Sequence, residues 1–125
     1  MTIYRSEVTA IGSDAGAMLD GGVLIFFAEP CPDALAEVSV VHRPEAPPAR
    51  EPRPGDVIAV GGETATISRI GELAANNLRE LGHIVIYLDP AESVKLLPGA
   101  VHASGALGMP APGAVLTITE GDSAS

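Results

Sequence analysis

Short apolar runs recur along the chain, and glycine or proline turns separate most of them. The continuous apolar run at residues 23–27 has the length expected of a strand that is buried on both faces. Gly61 and Gly62 lie between two further runs and predict a β-hairpin connection. The whole pattern predicts seven or eight short strands, with candidates at residues 2–11, 23–27, 38–42, 56–60, 64–70, 83–88, 100–103 and 114–119.

Helical periodicity is clear in one segment, residues 72–81. Its apolar residues recur at helical spacing, Glu72 lies in the first turn, and Gly82 is a typical helix stop. Asp33 could begin one further helical turn at residues 34–37, whereas residues 16–22 form a short segment with a turn signal at residues 20–22. These features predict a mainly β fold, a single small closed or nearly closed β-barrel with one short helix.

Residues 43–55 contain five prolines and charges of both signs. Proline removes backbone donors and favours extended geometry, so we expect an exposed loop in this segment. The pieces on either side are too short to fold independently, and 125 residues is the size of one domain. We therefore predict a single domain over residues 1–125, with a frayed tail at residues 120–125.

The chain is acidic, with a formal net charge of -9. This charge argues against a nucleic-acid-binding protein, which needs a basic face, and against docking on an anionic membrane. It suits a partner that presents a basic face. No apolar run approaches the length of about 18 residues that a membrane span needs, and we expect no signal peptide. The single cysteine, Cys31, leaves no internal disulfide, and we expect a cytoplasmic protein.

His42 ends the apolar run at residues 38–42 and opens the proline-rich segment. This position predicts an imidazole at the lip of a sheet, held by the strand and open to a partner. With an unperturbed pKa of about 6.5, the ring is largely neutral near pH 7 and can act as a nucleophile. That is all a protein phosphocarrier requires, although position alone favours a surface histidine without a role.

His83 and His102 complete the set of three histidines. Their wide spacing fits no metal motif, so no metal is predicted, although convergence of the three on one metal stays an alternative. We expect His83 to bond the backbone at a helix-to-strand junction and His102 to be a half-buried strand residue. One of them, or Arg43, could instead lie beside His42 and balance the charge of a phosphoryl group.

The sequence lacks the motifs of nucleotide-dependent and hydrolytic enzymes. The only lysine, Lys95, follows no glycine-rich loop, no glycine pattern fits a dinucleotide site, and no serine lies in a nucleophile elbow. We therefore predict no cofactor. Arg79 and Glu80 are expected on the solvated face of the helix, and Cys31 is expected to be unreactive.

Three stretches carry a more specific signal. The strongest is Asn-Leu-Arg-Glu-Leu-Gly-His at residues 77–83, where the helix runs into a strand. The others are the apolar strand that ends at His42 and the Pro-Gly-Ala-Val sequences that begin at Pro98 and Pro112. In order, spacing and chain length they resemble the glucitol/sorbitol-specific IIA components of the bacterial sugar phosphotransferase system, over nearly the whole chain.

The resemblance implies a small cytoplasmic β-barrel that carries a phosphoryl group on one histidine, which falls on His42. It implies that the phosphocarrier protein HPr donates the group and that the IIB domain of a membrane-bound sorbitol permease receives it on a cysteine. Such a protein is a phosphotransferase component with a phosphohistidine intermediate, and it needs no cofactor and no direct membrane insertion. The alternative is a non-catalytic β-barrel that binds a partner or ligand and regulates sugar metabolism. Exposed strand edges could favour a homodimer.

Overall fold

Eight strands close into one barrel within residues 2–121, the part of the chain that the computed structural model describes. The strands are β1 (Thr2–Ile11), β2 (Val23–Ala28), β3 (Val40–Pro44), β4 (Val57–Val60), β5 (Glu63–Ile70), β6 (Ile84–Leu88), β7 (Ala100–Gly105) and β8 (Val115–Thr119). Around the barrel they follow the order β1-β3-β2-β6-β7-β5-β4-β8, and β8 pairs with β1. The predicted closed, mainly β barrel is confirmed. Most of the predicted tail, residues 122–125, lies outside the described residues.

Three short helices occur in the described part of the chain: α1 (Ala15–Asp20), α2 (Asp33–Ala36) and α3 (Ala74–Leu81). Helix α3 is the predicted helix, and α2 lies where one helical turn was expected. The prediction of a single helix is wrong, because α1 forms just before the predicted turn at residues 20–22, where no helix was expected. Ala15 is buried and α1 packs against β2, so tertiary contact stabilises a helix that its glycine disfavours. No helix within residues 2–121 is long and apolar enough to cross a membrane.

The interior of the barrel is largely aliphatic. Alternate residues of each strand point inward, so β2 contributes Leu24 and Phe26 while β6 contributes Ile84 and Ile86. The predicted burial of β2 on both faces is correct only at its end, where Phe27 is also buried, since the earlier outward-facing residues are half-buried.

Strand β3 is shifted by two residues relative to the predicted strand at residues 38–42. Glu45 donates its N–H to the Arg5 carbonyl (3.0 Å), which places Pro44 opposite Ser6 in a pair that exchanges no backbone hydrogen bonds. At this position β3 donates no backbone hydrogen bond to β1, so the N–H that proline lacks is not required. Strand β3 therefore continues through Pro44. His42 therefore lies within β3, paired with β1 on one side and β2 on the other.

The proline-rich segment after β3 is anchored to the barrel at several points. Ala49 donates its N–H to the Ile3 carbonyl (2.9 Å), and the Arg50 guanidinium makes two 2.9 Å hydrogen bonds to the Asp56 carboxylate. Burial raises the pKa of Asp56, but Arg50 and two backbone N–H groups outweigh that effect and lower the pKa overall. Most side chains of the segment are exposed, as expected of a loop, while its backbone runs alongside β1.

Candidate functional site

His42 is fully buried inside the barrel, with 0% of its surface exposed. Its side chain shares the inward face of β3 with Val40, because residues two apart on a strand point the same way. The Nε2 atom lies 2.7 Å from the Gly82 carbonyl oxygen, and Nδ1 lies 2.5 Å from the Ser6 hydroxyl. The expectation of an imidazole open to a partner at the lip of the sheet is therefore wrong.

The hydrogen bonds fix the tautomer of His42. A carbonyl oxygen only accepts, so Nε2 carries the proton and donates it to Gly82. Nδ1 then keeps its lone pair, and the Ser6 hydroxyl donates to it. Burial lowers the pKa of His42, and the bond to Gly82 opposes that effect only in part. The ring is therefore neutral near pH 7, with Nδ1 as its nucleophilic nitrogen.

Aromatic rings and the end of α3 hold His42 in place. Phe26 and Tyr4 meet the imidazole edge-on, with ring centroids at 5.8 and 6.2 Å. Gly82 ends α3 with φ 60, and a Cβ there would lie 2.3 Å from the Cβ of Ala28 on β2. Only glycine allows this left-handed conformation and close approach together, and both bring the Gly82 carbonyl to His42.

A cleft of about 560 Å³ opens to the surface beside His42. We call it the loop–helix cleft; it is lined by residues 27–30, by residues 44–48 of the proline-rich segment, by residues 78–82 at the end of α3, and by Tyr4. His42 does not line this cleft, but Tyr4 and Gly82 do, and both also face the imidazole ring. The loop–helix cleft therefore reaches two groups that contact the imidazole.

Charged side chains surround the mouth of the loop–helix cleft. Arg79 is the one cation among its described lining residues, and it donates to the Asn76 side-chain oxygen at 2.9 Å. Glu29, Glu45 and Glu80 also line the cleft. Arg79 was expected on the solvated face of α3, and its side chain is indeed 47% exposed, but its place in the lining of the cleft was not predicted. Its position in the specific stretch at residues 77–83 was the sequence feature that could have indicated a role at the site.

Arg43 points away from His42, because adjacent strand residues face opposite sides of the sheet. Its side chain is 70% exposed and donates to the Glu29 carboxylate at 3.0 Å. His83 follows Gly82 and is half-buried. Its Nδ1 donates to the Phe26 carbonyl at 3.2 Å, and its ring packs on Phe27 with centroids 4.9 Å apart. Neither residue contacts the His42 ring.

His102 lies on β7, which β2 and β6 separate from β3 around the barrel. It is buried on the outer side of the sheet, where its ring packs on Tyr87 with centroids 5.6 Å apart. Burial lowers the pKa of His102, and the charge of Arg69 lowers it further. His42 points inward, so the three histidines do not converge, and no group of three potential metal ligands occurs within residues 2–121.

The two partners of the imidazole were not among the site residues predicted from the sequence. Ser6 is a buried polar residue in β1, and a lone serine in a strand gives no sign that it faces inward. Gly82 was identified as a helix stop, but its carbonyl, rather than its conformation alone, is what contacts His42. The alternation of Tyr4, Ser6 and Val8 along β1 was the signal that could have placed Ser6 on the inner face.

Comparison with known proteins gives three findings. The family model for the PTS system glucitol/sorbitol-specific IIA component matches residues 3–119. The chain is 34% identical over 116 residues to the PTS system glucitol/sorbitol-specific EIIA components of Shigella flexneri and Escherichia coli, which covers 91% of this chain and 92% of each relative. It also resembles the crystal structure of a PTS system IIA component from Enterococcus faecalis, with a TM-score of 0.82 and 22% identity. That match covers 92% of this chain and 98% of the other, and it supports the barrel fold.

Proposed function

Because this chain belongs to the family of glucitol/sorbitol-specific IIA components of the phosphotransferase system and thus acts as a phosphocarrier, we propose that His42 carries the phosphoryl group. The observation that carries this proposal is the pair of bonds on the buried ring: Nε2 donates to the Gly82 carbonyl and Nδ1 accepts from Ser6, so the ring is neutral and Nδ1 keeps a lone pair. His83 also donates one ring N–H to a backbone carbonyl, but it is only half-buried and no described side chain hydrogen-bonds its second nitrogen, while His102 lies on the outer side of β7.

The proposed transfer uses the Nδ1 lone pair of His42. The lone pair attacks phosphorus, a P–Nδ1 bond forms, and the bond from phosphorus to the donor breaks with its electron pair left on the donor atom. The proton on Nε2 stays in its bond to Gly82, whose carbonyl dipole faces the positive charge that develops on the ring. In the second half-reaction a thiolate attacks phosphorus, and the electron pair of the P–Nδ1 bond returns to the ring.

We propose HPr as the donor and the cysteine of a IIB permease domain as the acceptor, in the cytoplasm, during uptake of glucitol. Support for the sugar comes from the names of the relatives, and support for the partners comes from membership in the family. The acidic net charge of -9 favours partners with a basic face. The homodimer stays a prediction, but every described strand is paired on both sides in the closed barrel, so free strand edges no longer support it.

Access to His42 requires movement, since no part of its surface is exposed. The Ser6 hydroxyl must leave Nδ1 before phosphorus can approach it. Two of the groups that contact the ring, Tyr4 and Gly82, line the loop–helix cleft, so a donor seated there would approach His42 through a shift of Tyr4 or of the end of α3. Burial before and after transfer would also protect the phosphohistidine from water.

The test is incubation with phosphoenolpyruvate, enzyme I and HPr, followed by intact-protein mass spectrometry. We expect the unmodified chain to gain one acid-labile phosphoryl group and the His42→Gln variant to gain none. Glutamine suits this buried site, because its amide can donate to Gly82 and accept from Ser6. Circular dichroism and thermal unfolding establish that the variant folds.

Matched controls are His83→Gln and His102→Gln, which should both accept the phosphoryl group as the unmodified chain does. Phosphorylation of folded His42→Gln, or its loss in either control, would contradict the assignment. A folded chain that gains no label beside an active HPr control would instead favour the non-catalytic binding module.

A further inference from the structure

Tyr4 carries a buried hydroxyl that the resting structure does not use. The residue is 3% exposed, and no described group makes a hydrogen bond with its hydroxyl oxygen. Buried hydroxyls are usually paired, because an unpaired one loses its bonds to water without replacement. The unpaired hydroxyl therefore needs an explanation. The reactive group beside the Tyr4 ring is the imidazole of His42.

Three observations place Tyr4 beside the proposed phosphorylation site. It shares the inward face of β1 with Ser6, two residues away with no register shift between them, and Ser6 contacts Nδ1 of His42. Its ring meets the imidazole edge-on at 6.2 Å. It also lines the loop–helix cleft, through which a phosphoryl donor would approach.

A phosphoryl group on His42 would bring nearly two negative charges and three acceptor oxygens into this region. Three arginines lie close in sequence or space and none points there: Arg5 and Arg43 lie on outer faces, paired with Glu45 and Glu29, and Arg79 bonds Asn76. Neutral donors must then meet the phosphoryl oxygens. Burial raises the pKa of Tyr4 to about 12, so its hydroxyl remains protonated and able to donate.

We propose that the Tyr4 hydroxyl donates a hydrogen bond to a phosphoryl oxygen of phosphorylated His42, next to the hydroxyl of Ser6. This inference rests on the proposed role of His42. Because the Tyr4 hydroxyl lacks a partner before phosphorylation and gains one afterwards, it stabilises the phosphorylated form selectively. Its removal should therefore affect phosphorylation but not the folding of the unmodified chain.

The experiment compares Tyr4→Phe with the unmodified chain and with Tyr87→Phe, a control on the other tyrosine. The equilibrium constant for phosphorylation by phospho-HPr is measured, together with the rate at which isolated phospho-protein loses its label. A hydrogen bond to a charged group predicts a fall of about tenfold to a hundredfold in the equilibrium constant for Tyr4→Phe. The control should match the unmodified chain, and the urea midpoint of unphosphorylated Tyr4→Phe should not fall.

A measurement on the unmodified chain makes the test independent of that variant. With ¹³Cζ-labelled tyrosine, phosphorylation should shift the Tyr4 resonance and leave the Tyr87 resonance in place. An unchanged equilibrium constant in Tyr4→Phe, or an unmoved Tyr4 resonance, would overturn this inference alone if His42 is labelled. If His42 of the unmodified chain takes no label, the proposed function fails, and the inference fails with it.

Discussion

Replacement of Gly82 by alanine tests how the end of α3 is coupled to His42. The backbone at Gly82 has φ 60, a left-handed conformation that costs an L-residue about 1–2 kcal/mol. The new Cβ would also lie 2.3 Å from the Cβ of Ala28, far inside normal carbon contact, so β2 and α3 must separate. Overpacking of this kind costs about 1–3 kcal/mol. We therefore expect Gly82→Ala to lose about 2–5 kcal/mol of unfolding free energy.

Gly61→Ala is the matched control, because its φ of 58 is nearly the same and a Cβ added there would meet nothing within 4 Å. It should cost about 1–2 kcal/mol, the backbone share alone. Urea unfolding measures both variants, and a loss of about 3 kcal/mol moves the midpoint by between about 1 and 3 M at typical slopes. Phosphorylation of folded Gly82→Ala should also slow, since the carbonyl that holds Nε2 is displaced.

A double-mutant cycle with Ala28→Gly isolates the steric share of the loss. Removal of the Ala28 Cβ should recover much of the overpacking cost, which gives a coupling energy of about 1–3 kcal/mol. The reasoning is refuted if Gly82→Ala is no less stable than Gly61→Ala. It is also refuted if the cycle shows no coupling between residues 28 and 82.

Two further predictions concern buried ionisable groups. Burial lowers the pKa of His42 and of His102 in the folded chain. Below about pH 6.5 the unfolded chain therefore binds more protons than the folded chain does. The free energy of unfolding is consequently full above that pH and falls as the pH drops below it. Urea unfolding of His42→Gln between pH 7.5 and about 5 should show a shallower loss than that of the unmodified chain, and an identical slope would contradict it. Arg50→Ala should lower the free energy of unfolding by about 3 kcal/mol, because it leaves the buried Asp56 carboxylate without its guanidinium. Arg5→Ala breaks only an exposed ion pair and should lower it by less than about 1 kcal/mol. Thermal unfolding of the two arginine variants compares them directly, and equal losses would refute the argument.

The barrel could be predicted from the sequence because its signals are local. The hairpin at Gly61 and Gly62 and the stop of α3 at Gly82 each follow from the conformation that glycine allows. Helix α1 was not predictable in the same way, because packing against β2 stabilises a segment whose own composition favours a turn. The order of strands around the barrel also depends on contacts between distant parts of the chain.

The site shows the same contrast between local signals and contacts that involve distant parts of the chain. His42 could be selected from the sequence, but its burial could not, because the end of β3 depends on pairing with β1. A proline after an apolar run favours the end of a strand. Pro44 nevertheless stays in β3, because its position opposite Ser6 requires no backbone N–H for a hydrogen bond to β1. That register extends β3 past His42 and turns an expected surface imidazole into an interior one. Arg43, which adjacency in sequence placed near the site, faces the opposite side for the same reason.

The partners of His42 fit a protein that must release what it binds. The groups that bond or flank the ring are neutral: a hydroxyl, a carbonyl and two aromatic rings. A carboxylate beside the ring would favour its protonated form, which has no lone pair with which to attack phosphorus. A buried guanidinium would add an ion pair to its hydrogen bonds with the phosphoryl oxygens and would slow onward transfer. On the proposed role of His42, neutral donors would stabilise the phosphohistidine less than a cation would, which would let the group move in either direction at a small cost in free energy.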